Sequence, residues 1–270
     1  MQSVIFRLWL GFYVIAWREI AKFLRQRERL LSSLVRPALW LLVFATGLHD
    51  LLGVSIVEPY QTYTPYQEYI LPGLVGIVIL FQSMQSALSM VYDREAGVMR
   101  SMLVTPLPRP FLLFAKIGGA TILSLFQATI FLALAAIFGF YMPFSTVAWA
   151  IPAIILTGLM LGSIGLLVTV YTRRIENFAG MMNFVIFPMF FLSSALYPLW
   201  KLREAGAEPI YILSLINPFT HAVELIRFAA YGQFNLTSFA VVAGVGLVAF
   251  FLAARGYNPL AGAIGRIKRD

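Results

Sequence analysis

Long apolar runs separated by short polar breaks make up most of the chain. Six runs reach the roughly 20 residues that an α-helix needs to cross a bilayer. They lie near Leu34–Leu52, Tyr69–Tyr92, Phe111–Phe140, Val147–Tyr171, Phe178–Trp200 and Leu236–Ala254. The pattern predicts an all-α polytopic membrane protein with six transmembrane helices. Arg36 and Asp50 stand at the two interfaces of the first span. The third is longer than a crossing requires, so it tilts or begins among the headgroups.

Two segments outside these spans have patterns of their own. In residues 1–33, Arg18, Lys22, Arg25 and Arg29 recur at spacings of 4, 3 and 4, which places them on one helical stripe. Ile20, Phe23, Leu30, Leu31 and Leu34 fall opposite, with Arg27 the misfit. This predicts an amphipathic helix along the cytoplasmic surface, apolar face down. It anchors the chain to anionic lipid, or it does so and also touches a cytoplasmic partner. Residues 201–234 are too polar to cross cleanly and too apolar for an ordinary loop. Two short helical pieces, Ile210–Ile216 and Phe219–Tyr231, flank Asn217-Pro218 and predict a re-entrant hairpin on the outer side, shielded by protein.

Smaller signals fill in the picture. The stretch from His49 to Glu68 is rich in Tyr and Pro and lacks Lys and Arg, so its tyrosines are expected at the outer interface. Gly158 and Gly162 have helix-packing spacing in the fourth span; the contact is within the subunit or between two copies. No internal repeat or linker divides the chain, which predicts a single membrane domain over residues 1–270.

Composition agrees with the membrane reading. Of 270 residues 60% are hydrophobic and only 12% charged, outside the usual range for soluble domains. Cysteine is absent, which excludes disulfides and thiolate metal sites. The net charge of +8 would suit nucleic acid if it were clustered on a soluble face. Instead seventeen basic residues fall on one side of the six predicted spans and three, Lys201, Arg203 and Arg227, on the other. Positive residues stay cytoplasmic, so both termini are expected inside, in a bacterial-type inner membrane, with no nucleic-acid partner. Arg7, Arg18 and Lys22 interrupt the first apolar stretch, and no cleavable signal peptide is expected.

Candidate chemistry is sparse. His221 and Glu224 are three apart and share a helix face, the spacing of a metal or acid–base pair, but no second ligand pair accompanies them and a hydrogen-bonded pair is the expectation. No G-x-S-x-G and no G-x-x-x-x-G-K-[ST] occurs, so neither a nucleophile elbow nor a phosphate-cradling loop is present. The segment "DREAGVMRSMLVTPLPRP", residues 93–110, is the conspicuous polar break. Placing Asp93, Arg94 and Glu95 in lipid would cost about 2.5–3.5 kcal/mol each, so the segment belongs outside the hydrocarbon. Pro106, Pro108 and Pro110 are expected to prevent helix and stiffen the entry to the third span. It is a turn joining two spans, or a knuckle that receives force from a soluble partner.

"DREAGVMRSMLVTPLPRPFLLFAK" resembles the cytoplasmic loop of type 2 ATP-binding cassette exporter permeases. Their pattern of acidic-basic-acidic triplet, glycine, short helix and Thr-Pro step falls here on Asp93, Arg94, Glu95, Gly97, Thr105 and Pro106. "LINPFTHAVELIRFAAYG" resembles the family's Asn-Pro segment before the last span, through Asn217, Pro218, His221, Glu224 and Arg227. Val98 and Arg100 depart from the threonine and acidic residue frequent there. The resemblance implies a transport subunit with no catalytic site of its own. Its loop, including Arg100, would be a coupling helix docked on a separate ATPase that binds ATP and Mg. Two permease copies or paralogues would form the substrate path in the lipid membrane. An ion-driven transporter, a membrane-embedded lipid-modifying enzyme and a non-transporting assembly subunit are the alternatives.

Two polar stripes are candidates for the path: Gln82, Gln85, Ser86 and Ser89 on the second span, and Asn183, Phe187, Phe190 and Ser194 on the fifth, where Pro188 is expected to kink the helix. Such stripes bond to neighbouring helices or line a wet cavity. The resemblance implies the cavity, since spans two and five of both family subunits face the central path.

Overall fold

The computed structural model describes residues 4–25, 35, 38–43, 58–60, 65–98, 107–140, 147–172 and 174–256. These residues form helices and turns, and no strand occurs among them. In chain order the helices are α1 (Val4–Leu24), α2 (Tyr66–Glu95), α3 (Arg109–Ile137), α4 (Val147–Tyr171), α5 (Ile175–Phe191), α6 (Leu199–Glu204), α7 (Glu208–Ile216), α8 (Pro218–Ala230) and α9 (Leu236–Gly256).

Four helices, α2, α3, α4 and α9, are long and apolar enough to cross a membrane. The α7–α8 pair passes the same test jointly but bends by 73° at Asn217. Most of the first predicted span, Leu34–Leu52, lies outside the described residues; within it, Leu41 is buried in the main core. Residues Ile70 to Leu80 of α2 are buried without interruption, as expected of a helix surrounded by others. Around it pack α3, α4, α5 and α8, and α9 lies against α4. Outward-facing apolar side chains, such as Ile137 on α3 and Leu247, Val248 and Phe251 on α9, are mostly exposed. Lipid is the solvent in which such surfaces are stable.

Close backbone approach depends on small residues. A Cβ on Gly158 or Gly162 would lie 2.8 Å from Thr121 or Ile117 of α3. The small-residue spacing of α4 therefore serves packing within the subunit.

Three predicted boundaries move. The fifth span, expected over Phe178–Trp200, is a 17-residue helix that stops at Phe191. Pro188 sits in its last turn, and the carbonyls left over bond elsewhere: Phe190 accepts from the Ser193 hydroxyl, Phe191 from Tyr197, and both Met189 and Leu192 from the Asn217 amide. With its end satisfied this way, the helix has no reason to continue. Pro108 and Pro110 do not delay α3 either. Pro108 is its N-cap and Pro110 stands in the first turn, where a missing N–H removes no helical bond. Finally, Asp93, Arg94 and Glu95 form the last turn of α2 rather than a separate loop.

Candidate functional site

The last turn of α2 sends three consecutive side chains to three different places. Asp93 is buried and accepts from Arg18 at 2.5 Å, Lys22 at 3.2 Å and Lys116 at 2.6 Å. Arg18 and Lys22 come from α1, and Lys116 from the second turn of α3. Glu19 adds a second carboxylate, 3.3 Å from Arg18 and 3.8 Å from Lys116. The basic stripe of α1 therefore turns inward at these two positions. Its apolar residues Trp9, Tyr13 and Trp17 are exposed on the opposite side, and Arg29 lies outside the described residues. The physical reason is the buried Asp93 carboxylate, which needs compensating cations more than lipid headgroups do.

Arg94 is also buried and points to the end of α4, donating to the carbonyl of Thr169 at 3.0 Å and to that of Thr172. A cation at a helix C-terminus satisfies orphan carbonyls and complements the helix dipole. Glu95 is exposed, and its carboxylate accepts from the Ile175 backbone N–H, 3.0 Å away at the start of α5, the complementary arrangement at a positive helix end.

Beyond Glu95 the chain turns through Gly97, whose φ of +75° is a left-handed conformation that glycine adopts without strain. Val98 is exposed. Arg100, Thr105 and Pro106 lie outside the described residues. The chain reappears at Leu107, which packs with Phe12 and Phe111 beside Ile15 of α1. Both ends of the segment are thus attached to α1.

The two candidate path stripes divide. Gln82 accepts from Gln127 of α3 at 3.1 Å and donates to Ser86 at 3.2 Å, while Ser89 accepts from Lys22 at 2.8 Å. Gln82 and Ser89 thus tie α2 to α3 and α1, while Ser86 is held by Gln82 within α2. Gln85 lies off that line and is half-buried. On α5, Asn183 and Phe187 are exposed, whereas Phe190 is buried against Trp40 with ring centroids 5.0 Å apart. Ser194 lies past the helix end and is buried.

A second polar centre occupies the other end of α2. Arg227 of α8 is 2% exposed, pairs with Glu224, donates to the Ser194 carbonyl at 2.9 Å and stacks over the Tyr69 ring at 3.9 Å. The Tyr66 and Tyr69 hydroxyls donate to the carbonyls of Leu196 and Ser194. Tyr60 packs edge-on to Tyr231 at 4.8 Å. Tyr60, Tyr66 and Tyr69, expected at a lipid interface, are therefore buried, and for Tyr66 and Tyr69 the irregular backbone after α5 offers carbonyls that need donors. Burial pushes the Tyr60 phenol up to about 12 despite the nearby Arg227 charge, so it stays neutral. His221 and Glu224 do not bond to each other: His221 Nε2 contacts the Leu215 carbonyl at 3.0 Å and Glu224 holds Arg227. Asn217 caps α8 by accepting from the Phe219 N–H at 3.0 Å, besides its two donations toward α5.

Sequence reasoning missed the roles of Lys116, Gln127, Glu19 and Tyr69. One signal was available for Lys116: a lysine two turns into an apolar helix demands a counter-charge, and Asp93 and Glu95 are the acidic residues that precede it across a short loop.

A multi-helix, lipid-facing bundle with buried ionic knots at its helix ends defines a polytopic membrane protein. A profile of the ABC-2 type transporter family matches residues 11–231, and the chain belongs to that family. It is 23% identical over 249 residues to the inner membrane transport permease YadH of Escherichia coli K12, covering 91% of each chain. It is 28% identical over 222 residues to the putative transport permease ycf38 of Cyanophora paradoxa, covering 80% of this chain and 72% of that one. With nodulation protein J of Rhizobium leguminosarum bv. viciae it shares 25% identity over 222 residues, 81% of this chain and 79% of the other. The protein is thus a membrane-embedded transport permease of the ABC-2 class.

Proposed function

We propose that the chain is the permease subunit of an ATP-driven exporter, working as a dimer with a separate ATPase docked on the segment between α2 and α3. What carries this reading is the anchoring of that segment. Immediately before it, Asp93 holds α1 and α3, Arg94 holds the end of α4, and Glu95 holds the start of α5. A push on the turn at Gly97 would reach four helices through short, charge-assisted bonds. A turn that only connected two spans would not need them.

The proposal includes six spans, with residues 34–52 and the α5 region completing the four long helices. It places both termini and residues 93–110 in the cytoplasm and the α6–α8 region outside, as the distribution of basic residues favours. ATP and Mg belong to the partner ATPase. Ion-driven transport is disfavoured because, among the described residues, Lys116 is the ionisable group deepest within the four long helices and it is committed to Asp93. Such transporters place ionisable residues at mid-membrane.

The test is co-expression with a P-loop ATPase encoded beside this chain, followed by purification through a tag on the permease. The expected result is a stable complex whose ATPase activity drops when Glu95→Arg is introduced. A permease that transports when reconstituted without any ATPase would overturn the reading.

A further inference from the structure

A cavity of about 480 Å³ opens between α4, the end of α8 and the start of α9. Trp149, Ala153 and Leu156 of α4, Leu225 and Ala229 of α8, and Phe239 of α9 stand in its walls. The turn joining α8 to α9 adds Gln233 and Phe234, and among the described residues no charged side chain lines the space. The turn keeps its polar groups to itself. The Gly232 and Gln233 backbone N–H groups donate to the Ala229 and Phe228 carbonyls, and the Gln233 amide donates to the Pro59 carbonyl at 3.2 Å. Trp149 and Phe234 are each 68% exposed and Phe239 is 40% exposed, so much of the aromatic wall is left uncovered.

What fills such a groove follows from where it stands. Both α4 and α9 are long and apolar enough to cross the membrane, and the groove runs along their first turns. From Trp149 to Leu156 is about 10 Å at 1.5 Å per residue, less than half of a roughly 30 Å hydrocarbon core. Water needs about two to four polar partners, and these walls are apolar but for one committed amide. A charged headgroup would find no counter-charge. Hydrocarbon needs neither. Inside a bilayer no hydrophobic force separates a tail from its neighbours, so retention rests on contact. A flat face touches a tail on one side, whereas α4, α8 and α9 enclose it together, and dispersion contacts accumulate. The volume falls among small-molecule sites of about 300–1,000 Å³, with room for one tail whose headgroup stays outside. We infer that this groove holds one hydrocarbon tail of a bilayer lipid as a resident of the bundle. No described residue of α5 or α2 lines it, so it is separate from the face proposed for the path, and the lipid is not cargo.

The full chain would be reconstituted with equal amounts of phosphatidylcholine and phosphatidylglycerol, extracted into mild detergent and washed. Native mass spectrometry then counts the lipid retained. One lipid per chain is expected, with either headgroup in equal share, because the walls hold no charge. Ala229→Leu narrows the groove and Phe239→Ala removes one wall; each should lower the retained fraction at least about threefold. Leu247→Ala, at an exposed position of α9 outside the groove, should leave it unchanged. Unfolding temperatures check that the variants fold; should Ala229→Leu fail, Phe239→Ala, at an exposed position, carries the test alone. No lipid left after washing, retention indifferent to the groove variants, an equal loss in Leu247→Ala, or preference for the anionic headgroup would overturn the inference. So would groove variants that change the oligomeric state and leave lipid retention intact, which assigns the groove to a second copy. Neither transport nor ATP hydrolysis enters the measurement, so its failure leaves the proposed function standing.

Discussion

Lys116, two turns into α3, holds its ammonium 2.6 Å from the Asp93 carboxylate at the end of α2, and both side chains are almost fully enclosed. Arg18 and Lys22 complete a three-cation cage around the single carboxylate, with Glu19 alongside. The cage is asymmetric. Removing Asp93 leaves the buried ammonium only Glu19, 3.8 Å away, whereas removing Lys116 leaves Asp93 with two close cations. Breaking a buried pair from the uncompensated side costs about 3–5 kcal/mol. Asp93→Asn is therefore expected to lower folded yield and unfolding temperature sharply. Lys116→Met should be milder, and the double variant should recover part of the loss. Thermal unfolding in detergent of all three variants checks this. Equal effects for the two single substitutions would show that the cage is not organised around Asp93.

Glu95 and Gly97 test the coupling reading with little interference from folding. Glu95 is exposed and gives the start of α5 one hydrogen bond, so Glu95→Gln should cost about 1 kcal/mol or less. Gly97 has open space around a built Cβ but a positive φ, so Gly97→Ala should cost about 1–2 kcal/mol from backbone strain alone. Both proteins should be produced and fold. Under the proposed function, Glu95→Arg lowers ATPase activity of the complex and transport together, out of proportion to these small stability effects. Wild-type rates in the Glu95→Arg complex would remove the loop from the coupling path.

How much of this was readable beforehand depended on whether the cause was local. Hydropathy located α2, α3, α4 and α9 to within a few residues, because a crossing helix is defined by its own composition. The end of α5 was not readable, since it rests on Asn217 reaching back to Met189 and Leu192 from a distant segment. The basic stripe on α1 was readable as a stripe. Its direction was not, because periodicity gives the same pattern whether a stripe faces headgroups or a buried Asp93. Likewise Tyr66 and Tyr69 have the composition of an interface belt, and only the fold supplies the carbonyls that draw them inward.

Asn217 joins two elements through one amide. It accepts at the start of α8 and donates to both leftover carbonyls of α5. Asn217→Asp keeps the acceptor but turns a carboxylate toward two carbonyls, and should destabilise by at least about 2 kcal/mol. Asn217→Ser retains the cap and loses only the donations, for about 1–2 kcal/mol. Unfolding temperatures should rank wild type, Ser, then Asp. The reverse order would mean that the cap, and not the tie to α5, is what this residue supplies.

The proposed orientation places Ala96 and Glu204, both exposed, on opposite sides of the membrane. The chain has no native cysteine, so Ala96→Cys and Glu204→Cys can be labelled singly in intact cells with an impermeant maleimide. Glu204→Cys should react in intact cells and Ala96→Cys only after permeabilisation. Reaction of Ala96→Cys in intact cells would invert the topology.

Two phenylalanines three residues apart on α5 distinguish path from packing. Phe190 is 3% exposed and packed against Trp40 and Phe191, whereas Phe187 is 51% exposed and stacks only partly on Phe191 at 6.0 Å. Phe190→Ala should therefore cost about 3–5 kcal/mol. Phe187→Ala removes little buried area and should leave stability nearly unchanged. If α5 and the Gln85 side of α2 face a second copy across a shared path, Phe187 contributes an apolar wall there. Transport should then respond to Phe187→Ala, while Gln82 (bonded to α3), Ser89 (bonded to α1) and Ser86 (bonded to Gln82) respond mainly through folding. Oxidative cross-linking of Gln85→Cys between copies supplies the independent measurement. Cross-links together with a transport defect in well-folded Phe187→Ala place the path on this face. Normal transport by Phe187→Ala and no cross-link from Gln85→Cys would put it elsewhere, leaving this face to lipid.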